Sequence, residues 1–319
     1  MKVSAQEKPA QPRLDDIAQM WRYARDHHLA GQIKALHRPS VWRHLAVAFA
    51  DWATIFAAFA LVHEISIAFL PLTLLVIGNR QRALGNLMHD AAHGSTGGDR
   101  RRADLIARLV LFLPMFNSIR LYRRDHFAHH RSLGTPGLDV DLIHREEDMG
   151  LPWPLLWWRQ IANEQNWKSS CLGHLRRGSR HEIAEIAACW TLILLAIAAT
   201  TSPRTAGEFV LIWLLARASV FHAITMFREI SDHVGMHPGG VMGFSRNVTS
   251  HGILAALIHP HHNGYHLAHH LNPAMPYYAL PRAHALLLGW PDYAAAQHCD
   301  RYFNGETPLV KLWVRNRQP

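Results

Sequence analysis

Four long apolar runs restrict the folds open to this chain more than any other feature. They occupy residues 44–62, 66–88, 183–201 and 208–227. A helix needs about 20 apolar residues to cross a bilayer, and short turns join the runs in pairs. The pattern therefore predicts two transmembrane hairpins, although buried helices of a large soluble protein are the alternative.

Positive charge is distributed unevenly around these runs. Eight Lys and Arg precede the first run, sixteen lie within 79–181 and seven follow from Arg228 onward, whereas the two short turns contain only Arg204. Because positive residues stay on the cytoplasmic side, we expect both termini and the long middle segment there. Anionic lipid accounts for the net charge of +9, so we predict a membrane partner and no nucleic acid.

These patterns predict an all-α, multi-pass integral membrane protein with about four transmembrane helices and a cytoplasmic helical cap. The predicted units are a cytoplasmic N-terminal segment at 1–43, a membrane domain at 44–290 and a cytoplasmic C-terminal tail at 291–319. The apolar stretch 105–116 is too short to span and is expected at the membrane interface. The three cysteines lie far apart, which argues against a disulfide framework or an iron–sulfur site.

Eight histidines in three clusters are the clearest chemical signal. His89 and His93 form an HxxxH pair, and two HxxHH triplets are formed by His126, His129 and His130 and by His266, His269 and His270. On a helix, such spacings place the imidazoles on one face. One metal rarely needs more than four protein ligands, so eight histidines predict two metal ions that share a site. The predicted topology places all three clusters on the cytoplasmic face.

The donor set limits the metal and its chemistry. Neutral imidazole suits zinc, copper, iron and nickel. A zinc protease has Glu beside the first histidine as its general base, but this chain has Asp90 there. Even with a third histidine as a ligand, five clustered histidines would be left over. A di-iron centre uses the full set and can oxidise an unactivated C–H bond with O2.

Carboxylates near the clusters could hold the outer ring nitrogens of the ligands. Asp90 and Asp125 are the stronger candidates because each is adjacent to a clustered histidine in sequence. Asp139, Asp141 and Asp232 are further candidates, and a solvated loop charge is the alternative for each.

The chain resembles the membrane fatty acid desaturase/hydroxylase superfamily over about residues 40–290. The matching stretches are HDAAHG at 89–94, RRDHFAHH at 123–130, GYHLAHHLNP at 264–273 and PYYALP at 276–281. The resemblance implies a non-haem di-iron centre and O2 as co-substrate. It also implies His233 as a ninth ligand, Glu229 as a polar side chain that bridges through water, and Asn263 and Tyr265 as residues that shape the third box.

The resemblance further implies dehydrogenation of a lipid acyl chain. The sequence contains neither a haem domain nor an iron–sulfur cysteine set, so we expect a separate electron donor, either ferredoxin or a b-type cytochrome with its reductase. Hydroxylation, ketolation or acetylene formation on a lipid or carotenoid, and desaturation of an amino-acid-like natural product, stay open as alternatives. A metal transporter is disfavoured because transporters bind their cargo near the bilayer midplane.

The remaining polar residues receive weaker assignments. His259, His261 and His262 are expected in a polar loop or behind the ligands. His44, His251 and His284 are among the histidines not expected to bind metal. Arg217 lies inside the fourth apolar run, where it is expected to pair with a substrate head group or a buried acid, or to reach the cytoplasmic interface.

Overall fold

The computed structural model describes residues 12–143, 148, 150–237, 239–306 and 308–313, and within them the chain is mostly helical. The helices are α1 (Pro12–Asp26), α2 (Ala30–Leu36), α3 (Val41–Ile65), α4 (Leu70–His93), α5 (Arg100–Ala107), α6 (Ile119–Arg131), α7 (Trp153–Ala162), α8 (Glu164–Leu172), α9 (Arg180–Thr200), α10 (Pro203–His233), α11 (Val241–Phe244), α12 (Ile253–Ile258), α13 (His266–Leu271), α14 (Leu280–Leu287) and α15 (Pro291–Ala294). Two short strands, β1 (Asn247–Val248) and β2 (His298–Cys299), pair in parallel.

Three of the described helices are long and apolar enough to cross a membrane, namely α3, α9 and α10. The fourth predicted span, 66–88, overlaps α4, which begins at Leu70. From residue 79 onward that helix carries Asn79, Arg80, Arg82 and Asn86, which makes it more polar than the other three. The membrane character predicted from the sequence therefore rests on three helices, and a fourth span stays a prediction.

The packing of the long helices forms the first hydrophobic core. Ile55 of α3, Ile77 of α4 and Trp213 of α10 are each 0% exposed. On the outer surface, Phe49 of α3 is 74% exposed and Leu192 of α9 is 68% exposed, as expected for helices that face lipid rather than water. The two hairpins thus bury apolar side chains inward and present others outward.

α4 approaches α10 closely at Gly78. A Cβ atom at this position would lie 2.7 Å from Cβ of Val220 and 2.8 Å from the backbone nitrogen of Phe221. These two residues belong to a π-helical turn, Arg217–Phe221, within α10. Glycine is therefore needed at position 78 for the two backbones to meet.

Both of these helices continue beyond their apolar parts into the histidine region. α4 ends at His93 because Gly94 follows in the left-handed conformation, with φ of 76°. α10 continues through its π-helical turn to His233. The two helices α4 and α10 therefore form part of the bundle and also position His89, His93 and His233.

The described parts of the terminal segments pack against residues of the predicted 44–290 domain. Met20 of α1 and Ile33 of α2 share a buried cluster with Leu267 of α13. Trp313, near the C-terminus, is 0% exposed and packs its ring on Phe227 of α10. Residues 1–11 and 314–319 of the predicted terminal segments lie outside the described residues.

Candidate metal centre

Nine buried or half-buried histidines converge in two groups at the ends of α4 and α10. Group A consists of His89, His93, His126, His130 and His269, and group B of His129, His233, His266 and His270. Within each group, one nitrogen from every ring lies within 4.8 Å of the others. The eight histidines of the three clusters and the predicted ninth, His233, are therefore all brought together.

Helical geometry explains how each triplet divides between the groups. Successive residues on an α-helix are rotated by about 100°, so positions i and i+4 differ by about 40° and position i+3 points about 60° the other way. In α6, His126 and His130 accordingly point into group A and His129 into group B. In α13, His266 and His270 point into group B and His269 into group A. Each triplet therefore contributes to both groups.

The distances between ring nitrogens match those expected for imidazoles that bind the same metal ion. The Nε2–Nε2 distances are 2.8 Å for His93–His126, 3.0 Å for His126–His130, 3.2 Å for His130–His269, 3.0 Å for His233–His266, 2.9 Å for His266–His270 and 3.4 Å for His129–His270. Two imidazoles bound at about 2.1 Å to one ion, at right angles, would lie about 3.0 Å apart. The spacing within each group is thus that of neighbouring ligands on a single ion.

Contacts on the opposite side of several rings fix which nitrogen faces inward. Nδ1 of His129 donates to the carboxylate of Asp139 at 2.8 Å, and Nδ1 of His233 donates to the carbonyl of Phe244 at 2.6 Å. A neutral imidazole has one donor and one acceptor nitrogen, so these contacts leave the Nε2 lone pairs pointing into group B. Several lone pairs that face one point repel each other unless a cation lies there.

Burial keeps most of the rings neutral. Burial, followed by the charges of neighbouring imidazoles, lowers the pKa of His130, His266 and His270 well below its usual range. His129 differs, because the hydrogen bond to Asp139 and the negative charges of Asp141, Asp139 and Glu229 together outweigh burial and raise its pKa. Neutral imidazole is the form that binds metal, so the environment favours ligation at neutral pH.

The residues of both groups therefore fit a pair of metal ions. Nε2 of His89 is buried and has no hydrogen-bond partner among the described residues, as expected for an atom whose partner is a metal. The two groups are adjacent, since the ring centroids of His130 and His270 lie 4.3 Å apart. Donors made only of imidazole suit first-row transition metals rather than magnesium or calcium.

The carboxylates predicted near the ligands occupy different places. Asp90 lies with its carboxylate 4.0 Å from Nδ1 of His89 and 3.2 Å from Nε2 of His44. Asp141 lies 3.8 Å from Nδ1 of His126, and Asp232 lies 3.5 Å from Nδ1 of His266. With Asp139, four of the five candidates thus lie beside clustered rings.

Asp125 is the exception. Its carboxylate contacts Arg124 at 2.9 Å and Arg177 at 2.7 Å, and no contact to a ring of group A or B is present among the described residues. Asp125 points away from the centre because it precedes His126 by one residue, and one residue rotates the direction by about 100°. Adjacency in sequence was therefore the wrong criterion for this residue.

The other two predicted polar residues lie at the edge of the centre. Glu229 is paired with Arg228 at 2.5 Å, and Arg228 in turn contacts Asp232 at 2.7 Å. Asn263 is 8% exposed, and its side-chain oxygen has no hydrogen-bond partner among the described residues. Both are close to the ligands in sequence, and their predicted roles stay predictions.

Arg217 does not make the contacts predicted for it. It is 2% exposed, and its guanidinium donates to the backbone carbonyls of Met115, Ser170 and Cys171 at 2.6–3.0 Å. It therefore pairs with backbone carbonyls and not with an acid among the described residues. It joins the π-helical turn of α10 to the end of α8, a contact that needs tertiary packing and leaves no sequence signal.

Three supporting residues were missed in the sequence. His44 was set aside as a ligand, yet its ring bonds Asp90 at 3.2 Å. The carbonyl of Phe244 holds His233, as described above. The side-chain oxygen of Asn247 accepts a hydrogen bond from the backbone of Ala268, within the helix of the third box, at 3.1 Å. Of the three, only Asn247 is a polar residue between His233 and the third box, which is the sequence signal that could have found it.

Comparisons with known proteins agree with this centre. A family model described as fatty acid desaturase matches residues 65–301, more than half of the chain. A dihydrorhizobitoxine desaturase from Bradyrhizobium elkanii is 25% identical over 304 residues, which cover 84% of this chain and 83% of the relative. A beta-carotene ketolase from Paracoccus sp. (strain N81106 / MBIC 01143) is 30% identical over 219 residues, or 67% of this chain and 76% of the relative.

Proposed function

The chain belongs to the fatty acid desaturase family, and on that premise we propose that it is an O2-dependent membrane oxidoreductase that introduces a double bond into a lipid acyl chain. The convergence of nine histidines into two adjacent groups is the observation that supports this proposal. Group A would hold one non-haem iron and group B the other. Bound iron, with O2 and two electrons, supplies the oxidising power that removal of hydrogen from an unactivated C–H bond requires.

The protein's own contribution is to orient the ligands and to exclude water. Asp139 and the Phe244 carbonyl hold the rings of His129 and His233 so that Nε2 faces inward. The rings of group B are all buried, which keeps bulk water from competing with a substrate C–H bond. The apolar helix α3 begins, and α10 ends, close to the groups, which favours an apolar substrate that arrives from the membrane.

We assign the centre to the cytoplasmic face, in keeping with the positive charge on the segments that carry the histidines. Electrons would come from a separate donor, either ferredoxin or a b-type cytochrome with its reductase. A separate donor is expected because the clusters that could hold a metal among the described residues consist of histidines.

A second candidate keeps the centre and changes the substrate or the outcome. The beta-carotene ketolase relative favours ketolation of a carotenoid, and hydroxylation of a lipid or carotenoid stays open beside it. The dihydrorhizobitoxine desaturase of B. elkanii favours dehydrogenation, with an amino-acid-like natural product as an alternative substrate. Acetylene formation would use the same first hydrogen abstraction.

Expression in a host with a simple lipid profile, followed by mass spectrometry of total lipids and polar metabolites, distinguishes these outcomes. Desaturation predicts a product that has lost two hydrogen atoms, whereas hydroxylation predicts the gain of one oxygen atom. A matched His266→Ala variant controls for the host's own enzymes. Equal product in the variant and the parent chain would contradict the proposal.

A further inference from the structure

A cavity of about 660 Å³ lies beside the metal centre and is not used in the proposal above. It lies between the first part of α3, Arg80 of α4, the segment 248–265 and the pair Tyr277–Tyr278. Its volume falls in the range of small-molecule sites, about 300–1,000 Å³. We refer to it as the rim cavity.

The rim cavity is lined by residues that adjoin both histidine groups. Tyr265 lines it and directly precedes His266. Tyr277 lines it as well, and its backbone nitrogen donates to Asp90 at 2.8 Å, next to His89. A molecule bound in the rim cavity would therefore lie beside the centre.

The charges of the lining are predominantly positive. Arg43 and Arg80 are the arginines that line the cavity, whereas Asp51 is the single acid among the described lining residues. Asp51 is already engaged, since its two oxygens contact Arg80 at 2.9 Å and His261 at 2.8 Å. The positive charge of the lining is thus only partly neutralised by the protein.

Arg43 is the cation best placed for a ligand. Its guanidinium lies 3.9 Å from the ring centre of Tyr278, and it makes no ion pair or side-chain hydrogen bond with the described residues. Stacking fixes the plane of a guanidinium while its N–H donors stay available for an anion. Burial, with the charges of His261, His251 and Arg43, also lowers the pKa of His262, in agreement with a positive environment.

The cavity is apolar along one side. Ala46, Val47 and Ala50 of α3 line it together with Arg43 and Thr54. From Arg43 to Thr54 the helix rises by about 16 Å, at about 1.5 Å per residue. The lining therefore combines a cation at the predicted cytoplasmic end of α3 with a small apolar wall that leads toward the bilayer.

We propose that the rim cavity binds the head group of the substrate and that this head group is anionic, a carboxylate or a phosphate, with its chain laid along α3. The proposal rests on the function proposed above, because it names the substrate class of the same centre. Arg43 is the residue that recognises the anion, and the apolar wall accepts the first part of the chain.

Binding of short amphiphiles to the full-length protein in lipid nanodiscs tests this. The probes are octanoate, octyl phosphate, octanol and octylammonium, titrated without O2 or electron donor so that no turnover is needed. We expect the anionic probes to bind more tightly than octanol, and octylammonium most weakly. Tighter binding of octanoate identifies a free carboxylate as the head group, and tighter binding of octyl phosphate identifies a phosphate.

Arg43→Ala is expected to weaken binding of the better anionic probe about tenfold, the effect of one charge-assisted hydrogen bond at a partly exposed site. Arg43→Glu is expected to reverse the preference toward octylammonium. Arg101→Ala, an exposed arginine of α5 outside the cavity, is the matched control and should bind like the parent chain.

Equal binding of octanoate, octyl phosphate and octylammonium, or equal anion binding by Arg43→Ala and Arg101→Ala, overturns the proposal. Unfolding temperatures of the variants show whether each is folded. Iron content of the same preparations reports on the proposed function separately. Loss of anion selectivity in an iron-loaded protein therefore contradicts only the head-group assignment.

Discussion

At the scale of single residues, the candidate ligands differ mainly in what holds the nitrogen that faces away from the centre. His129 has a carboxylate at 2.8 Å and His233 a backbone carbonyl at 2.6 Å. Nδ1 of His130 and of His270 is buried without a hydrogen-bond partner among the described residues. Ligands with a fixed outer nitrogen should contribute most to metal affinity, because their rings are already oriented.

Asp139→Asn is predicted to weaken metal binding in group B about tenfold. The aspartate accepts from His129, Gly134 and Asp141 with its two oxygens, and an amide has only one oxygen for the three donors. Iron retention during titration with a chelator measures the effect. Asp300→Asn, a solvent-exposed carboxylate far from the centre, is the control and should retain iron like the parent chain. Identical chelator curves for both variants would show that His129 needs no support from Asp139.

The sequence predicted the residues of the centre and four carboxylates that lie beside them, but not the other supports. Histidine spacing on a helix identified all eight clustered rings, because the i, i+3 and i+4 rule is local. The division into groups A and B was not predicted, since it depends on how α6 and α13 pack against α4. The Phe244 carbonyl could not be predicted at all, because every residue has a carbonyl and only the fold selects one.

At the scale of elements, α4 links the helical bundle to group A and to the segment that precedes the third box. Asn79, Arg82, Asn86, His89 and His93 follow one another at intervals of three or four residues and so share one face. Asn79 donates to the carbonyls of Ala256 and Leu257, and Asn86 donates to that of Pro260. The helix of the first box therefore also holds the segment that precedes the third.

This polar face sets α4 apart from the other three long helices. The run 66–88 is predicted as a span from its length and apolar content, which do not show that its polar residues share one side. The positions of the stripe are visible in the sequence, but their partners are backbone carbonyls about 175 residues away. Such partners become apparent only once the chain is folded.

Arg217→Met is predicted to lower the unfolding temperature clearly. The substitution fills a similar volume but leaves three buried carbonyls without their donor, each at a cost of about 1–3 kcal/mol at most. Thermal unfolding of the purified protein in detergent measures the change. Arg204→Met is the matched control, because that side chain is 87% exposed and its pair with Glu208 contributes little. Equal unfolding temperatures of the two variants would contradict a structural role for Arg217.

At the scale of the whole molecule, the predicted topology places the histidines of groups A and B on one side of the membrane. The turn between α9 and α10 lies at the opposite end of these helices from His233. The sequence predicted this arrangement from charge alone, and three of the helices have the length and composition of spans. The side that faces the cytoplasm stays a prediction, because it depends on the membrane and not on the fold.

Cysteine accessibility in intact cells tests that orientation. In a background without Cys171, Cys189 and Cys299, a cysteine at exposed Thr201 is predicted to react with a membrane-impermeant maleimide added outside. A cysteine at exposed Arg101, near the first box, is predicted to react only after the cells are permeabilised. The reverse pattern would place the histidines on the outer face.

The measurement that tests the account most directly is the metal content of the purified, active protein, determined together with O2 consumption that depends on a reduced donor. Groups A and B together predict about two irons per chain, and activity that is lost when the iron is removed and restored when it returns. A preparation that is fully active with zinc and without iron would contradict the account.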